Sequence, residues 1–520
     1  MIVLVHNGHT AEAVFSISEN IQIDFDANKP IANVLFQISK TNPNELLIWV
    51  NANYKNNIDY DSLHTVFHHK GIMASYAITG DYCISNQIGY VEKTPYTNVK
   101  SDVNYPTWLM SSDVGGIYAE TLNTISAKIS KYTNFDFFLS ALAKQNMPQG
   151  LFCYSNPMLI KSDQLDVSSK KNDCNDLLFK FVKQHYKTVW VFNLLLCFIF
   201  FENRFPLLPF FKALFVKRNT ERADFSALEV KSSLKVVKEK TIDVIIPTIG
   251  RRDSLYDVLK DLGKQTHFPK HVIIVEQNPQ SDSKSELDFL TTETWPFNIK
   301  HRFIHQTGAC NARNIALSLV ESEWVLLGDD DNRFDSDLIE NLFINIEKFG
   351  VTVATTMYIQ PNETPKYLTT NQTDIFGSGN SMLKSDLLKK VAFDMAFEFG
   401  YGEDSDFGMQ LRKIGHDVIY FPKLKITHLK LPFGGFRTKF VHGWEHEAVQ
   451  PKPSPTIMVL IKKHYNVYQK NGYKFMLFLK FYKKQSIKKP FAYLKQMKRQ
   501  WERSEYWASE LFINEKSKRH

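Results

Sequence analysis

The chain has 520 residues, of which 43% are hydrophobic and 23% charged, and a formal net charge of +8. This length exceeds what one hydrophobic core usually organises, so we expect two or three folded domains. The five cysteines lie far apart without a Cys-x-x-Cys pair, which argues against a disulfide framework or a zinc knuckle and favours a reducing compartment.

Residues 1–165 alternate short apolar runs with helical patterns, which is typical of an α/β domain. The opening Met1–Gly8 lacks a basic region and a small-residue cleavage site, so we interpret it as a first β-strand and not as a signal peptide. We therefore expect a cytoplasmic protein.

Residues 166–238 form an apolar helical segment that ends in a linker, Arg218–Lys240. The run Thr188–Phe201 has 14 residues and is interrupted only by Asn193; a second run, Phe205–Phe211, follows. Because crossing a bilayer takes about 20 residues, the segment is too short for an ordinary span. Two interpretations remain open: a helix that dips into a membrane, or one packed between two domains.

A second α/β unit is predicted over residues 239–450. Its strand Ile242–Ile246 ends at Pro247-Thr248, and the strand His271–Val275 ends at Glu276. Continuous apolar runs of this kind are typical of a parallel sheet covered on both faces. Ligands of such sheets collect at the carboxyl ends of the strands, so we expect these polar ends to face a nucleotide.

The segment Thr307–Asn314 is a turn that runs into a helix. We expect free N–H groups at the start of this helix, together with Arg313, to face the same edge of the sheet and to bind phosphate.

Three aspartates, Asp329 to Asp331, follow the apolar run Trp324–Gly328, and His428 follows the strand-like stretch Val418–Thr427. Adjacent carboxylates repel one another by up to about 4 kcal/mol per close pair at an effective dielectric near 20, so a cation partner is expected. Carboxylates and an imidazole at strand ends can hold a divalent cation against a diphosphate. An exposed acidic turn and an ordinary strand-end histidine are the alternatives.

The order of these parts resembles the inverting family 2 glycosyltransferases, which have a GT-A (Rossmann-like) fold. The matching motifs are a Pro-Thr strand end, an acidic strand end, a Gly-x-x-x-Ala-Arg-Asn turn and an Asp-x-Asp metal motif: Val244–Thr248, Glu276, Gly308–Asn314 and Asp329–Asp331. The later segment, from Gly377–Ser381 through Phe399–Phe407, looks like the Gly-Trp-Gly-Glu-Asp-x-Asp acceptor-side motif of galactosyltransferase-type enzymes.

The resemblance implies a role for each matching residue. Asp404 would be the general base and Glu403 would position the acceptor. Asp331 and His428 would bind the metal, which oxygen-rich ligands indicate to be Mn²⁺ or Mg²⁺. Asp329 and Asp330 would hold the ribose and the water shell of the metal. The remaining residues implied to contact the donor are Pro247, Thr248, Glu276 and Arg313.

The implied function is metal-dependent, inverting and non-processive transfer of a sugar from a nucleotide-sugar donor, expected to be UDP-linked, to a glycan or lipid-linked acceptor. Synthesis of cell-surface polysaccharide is the expected setting. The sequence Glu276–Pro279 departs from the usual Asp-Asp-Gly-Ser of the family, so the nucleotide base stays open. The alternatives are a non-catalytic scaffold that binds nucleotide sugars or glycans, and a nucleotidyltransferase, for which Thr248–Arg252 has too few glycines.

A glycine-hinged, aromatic stretch, Gly434–Trp444, follows the last strand of this unit. We expect a lid that closes on the donor and places Trp444 against the acceptor. A plain surface loop is the alternative.

Residues 451–520 form a basic, helical tail that begins after the prolines of Pro451–Pro455. Between Ile461 and Trp501 there are twelve Lys or Arg, no Asp or Glu, and many interleaved aromatic residues. This composition suits an anionic surface, and the apolar run of residues 188–211 favours a lipid surface over nucleic acid. We expect peripheral binding at the inner face of the cell membrane; a homodimer is a possible further assembly.

The first domain repeats the order of patterns of the second, which suggests a degenerate GT-A copy. In this comparison the metal aspartates are replaced by Asn53-Tyr54-Lys55, or with a short gap by Asn51-Ala52-Asn53, and the general base by Asn134. Such a copy would not transfer sugar but would support the structure, form a dimer or bind acceptor.

Overall fold

The computed structural model describes residues 1–125, 134–161, 175–432 and 440–518. They form two α/β domains, each on its own mixed sheet, and a C-terminal group of helices.

The N-terminal sheet has eight strands in the order β3-β2-β1-β4-β7-β5-β8-β6. Its strands are β1 Ile2–His6, β2 Ala11–Ser16, β3 Ile21–Gln22, β4 Leu46–Asn51, β5 Ile72–Tyr76, β6 Tyr105–Pro106, β7 Val114–Tyr118 and β8 Phe152–Ser155. The helices of this half are α1 Ile31–Thr41, α2 Leu63–Val66, α3 Ala119–Asn123, α4 Phe135–Asn146, α5 Asn175–His185, α6 Val189–Glu202 and α7 Leu207–Leu214.

The second sheet has nine strands, of which eight follow the order β11-β10-β9-β12-β16-β14-β17-β13, while β15 pairs with β17. Its strands are β9 Ile242–Thr248, β10 His271–Gln277, β11 Asn298–Ile304, β12 Trp324–Leu327, β13 Asn332–Phe334, β14 Val353–Ile359, β15 Asn371–Gln372, β16 Ser381–Lys384 and β17 Ile419–His428. The helices are α8 Arg252–Leu262, α9 Phe289–Thr292, α10 Ala309–Ser318, α11 Leu338–Phe349 and α12 Glu403–Lys413, followed by the C-terminal α13 Pro455–His464, α14 Val467–Tyr482 and α15 Pro490–Lys518.

Hydrophobic patterning accounts for the layered second domain. All seven residues of β10 are buried between the parallel neighbours β9 and β11, as expected for a strand covered on both faces. Helix α8 packs one apolar face on this sheet. Its buried residues recur at helical spacing and so lie on that one face: Leu255, Val258, Leu259 and Leu262.

The two sheets share a central run of five strands. In the N-terminal sheet this run is β1-β4-β7-β5-β8, and in the second sheet it is β9-β12-β16-β14-β17. The four pairings are parallel, antiparallel, antiparallel and parallel in both runs. The sheets differ beyond the first strand, where the parallel β10 and β11 of the second domain are replaced by the antiparallel β2 and β3. The predicted internal repeat is therefore present in the topology.

The apolar helical segment, with its two apolar runs between residues 188 and 211, belongs to the N-terminal domain. Helices α5 to α7 bury one face in its core, including Phe179, Leu194 and Phe198. Their other face is exposed. Within the described residues, none of the helices combines the length and apolar character that crossing a membrane requires.

The two domains share a hydrophobic core and are joined at several points. The rings of Phe152 and Phe349 stack across the boundary with centroids 5.5 Å apart. The side-chain amide of Gln372 accepts from the backbone N–H of Cys153 at 2.6 Å and donates to its carbonyl at 3.2 Å. Helix α14 packs on the N-terminal domain, where a Cβ at Gly472 would overlap the backbone of Tyr90. These contacts hold the two domains as walls of one cleft.

Candidate functional site

A cleft of about 1220 Å³ lies at the carboxyl ends of β9, β10 and β12 and is lined by residues of both domains. Most of the predicted site residues line it: Pro247, Thr248, Arg313, Asp329, Asp330, Asp331, Glu403, Asp404 and His428. Glu276 and Trp444 are not among the lining residues.

Asp329, Asp331 and His428 form a compact group at the edge of the cleft. One ligand atom from each residue lies within 4.8 Å of the others. The pairing of β13 with β17 creates this group, because it places His428 opposite Asn332, the residue after Asp331. The imidazole of His428 stacks on Tyr358 at 4.7 Å, which fixes its orientation.

The donor set of this group fits a divalent cation. The Oδ1 atom of Asp331 is buried, lies 3.4 Å from Nε2 of His428 and has no hydrogen-bond partner among the described residues. Burial alone would raise the pKa of Asp331, but His428 and Arg251 outweigh it and lower that pKa. Two carboxylates and one imidazole suit Mg²⁺ or Mn²⁺.

Asp330 does not belong to this group. It is held by two side chains at and just after the end of β9. It accepts hydrogen bonds from the hydroxyl of Thr248 at 2.7 Å and from the guanidinium of Arg251 at 2.7 Å. Burial raises the pKa of Asp330 to about 6, although Arg251 and Thr248 favour its anion. The same guanidinium lies 3.1 Å from Asp331, so Arg251 fixes the spacing of the two neighbouring carboxylates.

Asp329 is oriented by side chains from two other elements. The guanidinium of Arg313 donates to its Oδ1 at 3.0 Å, and the hydroxyl of Tyr358 lies 2.8 Å from its Oδ2. A glycine is required at position 379, because a Cβ there would overlap the carboxylate of Asp329.

Glu403 and Asp404 open helix α12 on the opposite wall of the cleft. Burial raises the pKa of both carboxyl groups, and the charge of Asp404 raises that of Glu403 further. The charge of Arg313 and the polar groups of Ser378 oppose this rise for Asp404. The Oδ1 atom of Asp404 is buried and has no hydrogen-bond partner within the described part of the chain.

Arg313 lies between the two sets of carboxylates. Its side chain is buried, and burial alone would lower its pKa, but Asp329, Asp404 and Glu403 raise it. The guanidinium therefore stays charged and couples the Asp329 side of the cleft to the Asp404 side.

The structure corrects the prediction that Glu276 faces the nucleotide. Its carboxylate accepts from the hydroxyl of Ser285 at 2.6 Å and lies 2.9 Å from Nε2 of His301. Both partners lie on its own side of the sheet, and the next residue, Gln277, lines the cleft instead.

The structure also corrects the prediction of free N–H groups at the start of α10. The carboxylate of Glu398 accepts from the N–H of Cys310 at 3.1 Å and of Asn311 at 2.8 Å. The N–H of Gly308 donates to the side chain of Gln277 at 2.6 Å. A helix end capped in this way has no spare donors for phosphate.

Trp444, which was predicted to contact the acceptor, does not line the cleft. Its ring stacks on His442 at 4.1 Å and meets Trp507 of α15 at 5.7 Å, so it belongs to the packing of the C-terminal helices. The predicted lid hinge, Gly434–Arg437, lies outside the described residues.

Two residues that contact the predicted carboxylates were given no role by the sequence analysis: Arg251 and Tyr358. Arg251 stands four residues after Pro247 at the carboxyl end of a strand, and a basic residue in that position was the available signal. Tyr358 had no local signal, because it reaches Asp329 from β14, which is separated from β12 in the sheet by β16.

Two sequence comparisons agree on the class of the second domain. Residues 243–405 match the family model described as glycosyl transferase family 2. An uncharacterized glycosyltransferase of Rickettsia conorii is 26% identical over 168 residues, covering 32% of this chain and 27% of that protein. One of Rickettsia felis is 25% identical over 170 residues with the same coverage. The chain thus spans 27% of the length of these relatives.

Two solved structures are similar over part of the chain. S. aureus TarS 1-349 in complex with UDP-GlcNAc is 19% identical with a TM-score of 0.35, covering 43% of this chain and 66% of that chain. GalNAc-T7 with UDP, GalNAc and Mn²⁺ is 11% identical with a TM-score of 0.34, covering 49% of this chain and 51% of that chain.

The family match confirms the resemblance to family 2 glycosyltransferases that the sequence motifs predicted. Residues 243–405 match the glycosyl transferase family 2 model, and the motifs that carried the resemblance up to Asp404 lie within this range.

Proposed function

We propose that the protein transfers a sugar from a nucleotide-sugar donor to a hydroxyl group of a glycan or lipid-linked acceptor, in a metal-dependent, inverting and non-processive reaction. One observation carries this proposal. The group Asp329, Asp331 and His428 and the carboxylate of Asp404 line the same cleft, and Arg313 lies between them.

The donor side of the cleft would hold the diphosphate. Asp331 and His428 would bind Mn²⁺ or Mg²⁺, with Asp329 beside them, and the orphaned Oδ1 of Asp331 supports this assignment. A bound cation would neutralise the negative charge that develops on the diphosphate leaving group. Arg313 keeps Asp329 in place throughout.

The acceptor side of the cleft would activate the nucleophile. Oδ1 of Asp404 would take the proton of an acceptor hydroxyl while that oxygen bonds to the anomeric carbon and the bond to the diphosphate breaks. Attack from the face opposite the leaving group inverts the anomeric centre. The raised pKa of Asp404 brings the base closer to working pH.

The test is a donor panel. Full-length protein would be incubated with UDP-, GDP- and dTDP-sugars in the presence of Mn²⁺, and free nucleoside diphosphate would be measured with and without EDTA. We expect metal-dependent release from a UDP-sugar. Thermal stabilisation by a donor without any release would contradict catalysis and favour the scaffold.

We further propose that the protein binds an anionic membrane surface through α6, α7 and the basic C-terminal helices. Apolar side chains of the segment 189–215 are exposed, and Phe215 is 89% exposed. Helix α14 packs beside α6, with the rings of Phe475 and Phe200 at 5.8 Å. The exposed lysines Lys483, Lys484, Lys488 and Lys489 follow α14.

An apolar face next to clustered lysines is the pattern of an interfacial helix on anionic lipid. This surface would bring the cleft to a lipid-linked acceptor and would place the protein at the inner face of the cell membrane. The test is sedimentation with phosphatidylglycerol vesicles and with phosphatidylcholine vesicles. We expect binding to the former and about thirtyfold weaker binding after Phe200→Ser plus Phe205→Ser, since each exposed ring contributes about 1 kcal/mol. If the double variant bound phosphatidylglycerol vesicles as well as the unmodified protein does, the proposed membrane-binding surface would be refuted.

A further inference from the structure

Helix α13 contacts the segment that leads into the proposed base. The hydroxyl of Thr456 on α13 accepts from the backbone N–H of Tyr401 at 3.1 Å. A Cβ at Gly400 would lie 2.4 Å from the side chain of the same threonine, so the chain passes directly against the helix there. Helix α13 begins at Pro455 and thus lies outside the family-matched residues 243–405.

A second contact with α13 lies just beyond the proposed base. The carboxylate of Asp406, in the first turn of α12, is fully buried. Its Oδ1 atom lies 2.6 Å from Nζ of Lys463 and 2.6 Å from Nε2 of His464. Thr456 and Lys463 are seven residues apart, which is about two helical turns, so they lie on the same face of α13. One face of α13 therefore contacts the chain on both sides of the base.

The groups of this second contact have defined charges at neutral pH. Burial alone would raise the pKa of Asp406, but His464 and Lys463 outweigh it and lower that pKa. Burial alone would lower the pKa of Lys463, whereas Asp406 and Asp394 raise it. Burial lowers the pKa of His464, so its imidazole is neutral and donates from Nε2. The carboxylate of Asp406 is thus held by one cation and one neutral donor.

The N-terminal domain has an apolar ring at the equivalent position. The third residue after the helix start is Asp406 in α12 and Phe138 in α4. Phe138 is fully buried and packs against Phe36, with ring centroids 6.0 Å apart. Replacing a buried ion pair by apolar side chains is often neutral for stability or increases it. Packing alone therefore does not account for a charged group at this position of the second domain.

The first turn of α12 also lacks the cap that α4 has. The side chain of Asn134 accepts from the N–H of Phe137 at the start of α4. Helix α12 begins after Gly402, which has a left-handed backbone and no side chain to cap the helix. The ends of a helix fray more readily than its centre. The contact of Asp406 with α13 restrains this uncapped turn, in which Asp404 also lies.

We propose that Asp406 is a positioning residue for the base Asp404 and is itself held by Lys463 and His464 of α13. This inference rests on the proposed function, because it takes Asp404 to be the general base. Misplacing a reacting group by about 1 Å can lower a rate by about 100-fold. Helix α13 would thus control the rate of transfer without contacting the donor.

The experiment separates the position of the base from the binding of the donor. Lys463→Met removes the charge and keeps a side chain of similar length. We expect kcat to fall by about tenfold or more, while the dissociation constant of UDP in the presence of Mn²⁺, measured by calorimetry, stays unchanged. Lys463→Arg keeps the charge and should recover most of the loss. A merely structural role would instead weaken UDP binding and lower the melting temperature together with kcat.

Lys462→Met is the matched control, because it removes the same charge from the neighbouring residue of α13. The ammonium of Lys462 donates to the carbonyl of Glu505 at 3.0 Å and to the hydroxyl of Ser509 at 2.7 Å. Both partners belong to α15, so this lysine serves the other side of α13. The control should leave kcat unchanged.

A second variant removes both charges of the contact. Lys463→Met alone leaves the buried Asp406 without its cation, which lowers stability. Asp406→Leu plus Lys463→Met should keep a melting temperature near that of the unmodified protein, because no buried charge of the pair is left over. It should still show the loss of kcat, since the directional contact is gone.

Hydrogen exchange of the peptide 399–407, followed by mass spectrometry, reports local opening of the first turn of α12 without any need for activity. Exchange should be faster in Lys463→Met and in the double variant, and unaltered in Lys462→Met. Unaltered exchange in the first two, or faster exchange with full kcat, would overturn the positioning role. If the unmodified protein releases no nucleoside diphosphate from any donor while exchange responds as expected, the transferase alone is refuted and the anchoring of Asp404 by α13 stands.

Discussion

The two domains share five strands in the same order but carry different side chains at the carboxyl ends of those strands. Leu46 lies opposite the last residue of β7, and Trp324 lies opposite the last residue of β16. Counting five and seven residues onward from these two positions places Asn51 and Asn53 where the second domain has Asp329 and Asp331. Of the two alignments that the sequence allowed, the structure thus selects Asn51-Ala52-Asn53.

The helix that carries the proposed base shows a different outcome. Helix α4 begins at Phe135 and α12 begins at Glu403, so the second residue of each is an aspartate, Asp136 or Asp404. The N–H of Ser112 donates to Asp136 at 2.6 Å, and Ser378, which lowers the pKa of Asp404, is the equivalent of Ser112 in the strand register. The prediction that Asn134 stands at the base position was wrong. Asn134 is the N-cap of α4 and accepts from the N–H of Phe137.

The two equivalent aspartates, Asp136 and Asp404, thus have different surroundings and can have different roles. In the N-terminal domain the aspartate holds the loop before a central strand through a serine N–H, which is a structural task. Among the described residues, only the second domain has the group Asp329, Asp331 and His428, together with the buried Arg313. We infer that the N-terminal domain kept the scaffold, lost the cation site and contributes to the cleft through its wall.

The largest expected effect compares the two equivalent aspartates. Asp404→Asn should lower turnover by about 10³-fold, because a general base contributes about 10²- to 10⁴-fold. Asp136→Ala should leave turnover unchanged and cost about 1–3 kcal/mol of unfolding free energy, because it leaves the buried Ser112 N–H unpaired. Initial rates with the active donor and urea unfolding of both variants test the pair. If Asp136→Ala lost turnover while it stayed fully folded, Asp136 would not be purely structural, and the assignment of different roles to Asp136 and Asp404 would be wrong.

The second comparison concerns the cation site. His428→Ala should lower kcat/KM by about 100-fold, since a cation at a diphosphate stabilises the transition state by several kcal/mol. Asn53→Ala, at an exposed position equivalent to Asp331, should change neither rate nor stability by a measurable amount.

A readout independent of activity is the stabilisation of the protein by Mn²⁺, which grows with the ratio of free ion to dissociation constant. Mn²⁺ should raise the melting temperature of the unmodified protein and of Asn53→Ala, but not that of His428→Ala. Equal stabilisation of all three would place the ion elsewhere.

The sequence predicted the elements and the ends of strands well, for a physical reason. Continuous apolar runs such as Ile242–Ile246 form buried parallel strands wherever they occur, and parallel strands align their carboxyl ends. Asp329 to Asp331 and His428 could be brought together on that basis alone. The resemblance to a family then added Asp404, which no periodicity would have distinguished.

The incorrect predictions all concern side chains whose partners are distant in the sequence. Glu276 turned to His301 on a neighbouring strand, and the start of α10 was capped by Glu398, which is 87 or 88 residues from the donors. Trp444 packed on Trp507 of α15. The partner of such a side chain is set by which polar groups lie within hydrogen-bond distance in the packed domain. The residues next to it in the sequence do not determine that partner.

A smaller effect is expected at Arg313, on the pH dependence of the reaction. Burial raises the pKa of Asp404 and the guanidinium of Arg313 lowers it. Removing the positive charge with Arg313→Gln should therefore raise that pKa further, so that the acid limb of the kcat/KM profile moves to higher pH, by about one unit. Arg313→Lys keeps the charge and should leave the limb near its original position. A purely structural role would lower the rate of both variants without moving the limb.

The smallest expected effect lies at Asn134, where the two domains differ most simply. The second domain has Gly402 at the N-cap of α12, with a left-handed backbone, whereas α4 has a side-chain cap. Asn134→Ala should cost about 1 kcal/mol of unfolding free energy, and Asn134→Asp, which keeps an acceptor at the cap, should cost almost nothing. Neither variant should change the initial rate of transfer, because the side chain of Asn134 is committed to the helix start. A rate change in Asn134→Asp with unaltered stability would show that this residue acts on the cleft after all, and the N-terminal domain would then be more than a structural support of the cleft.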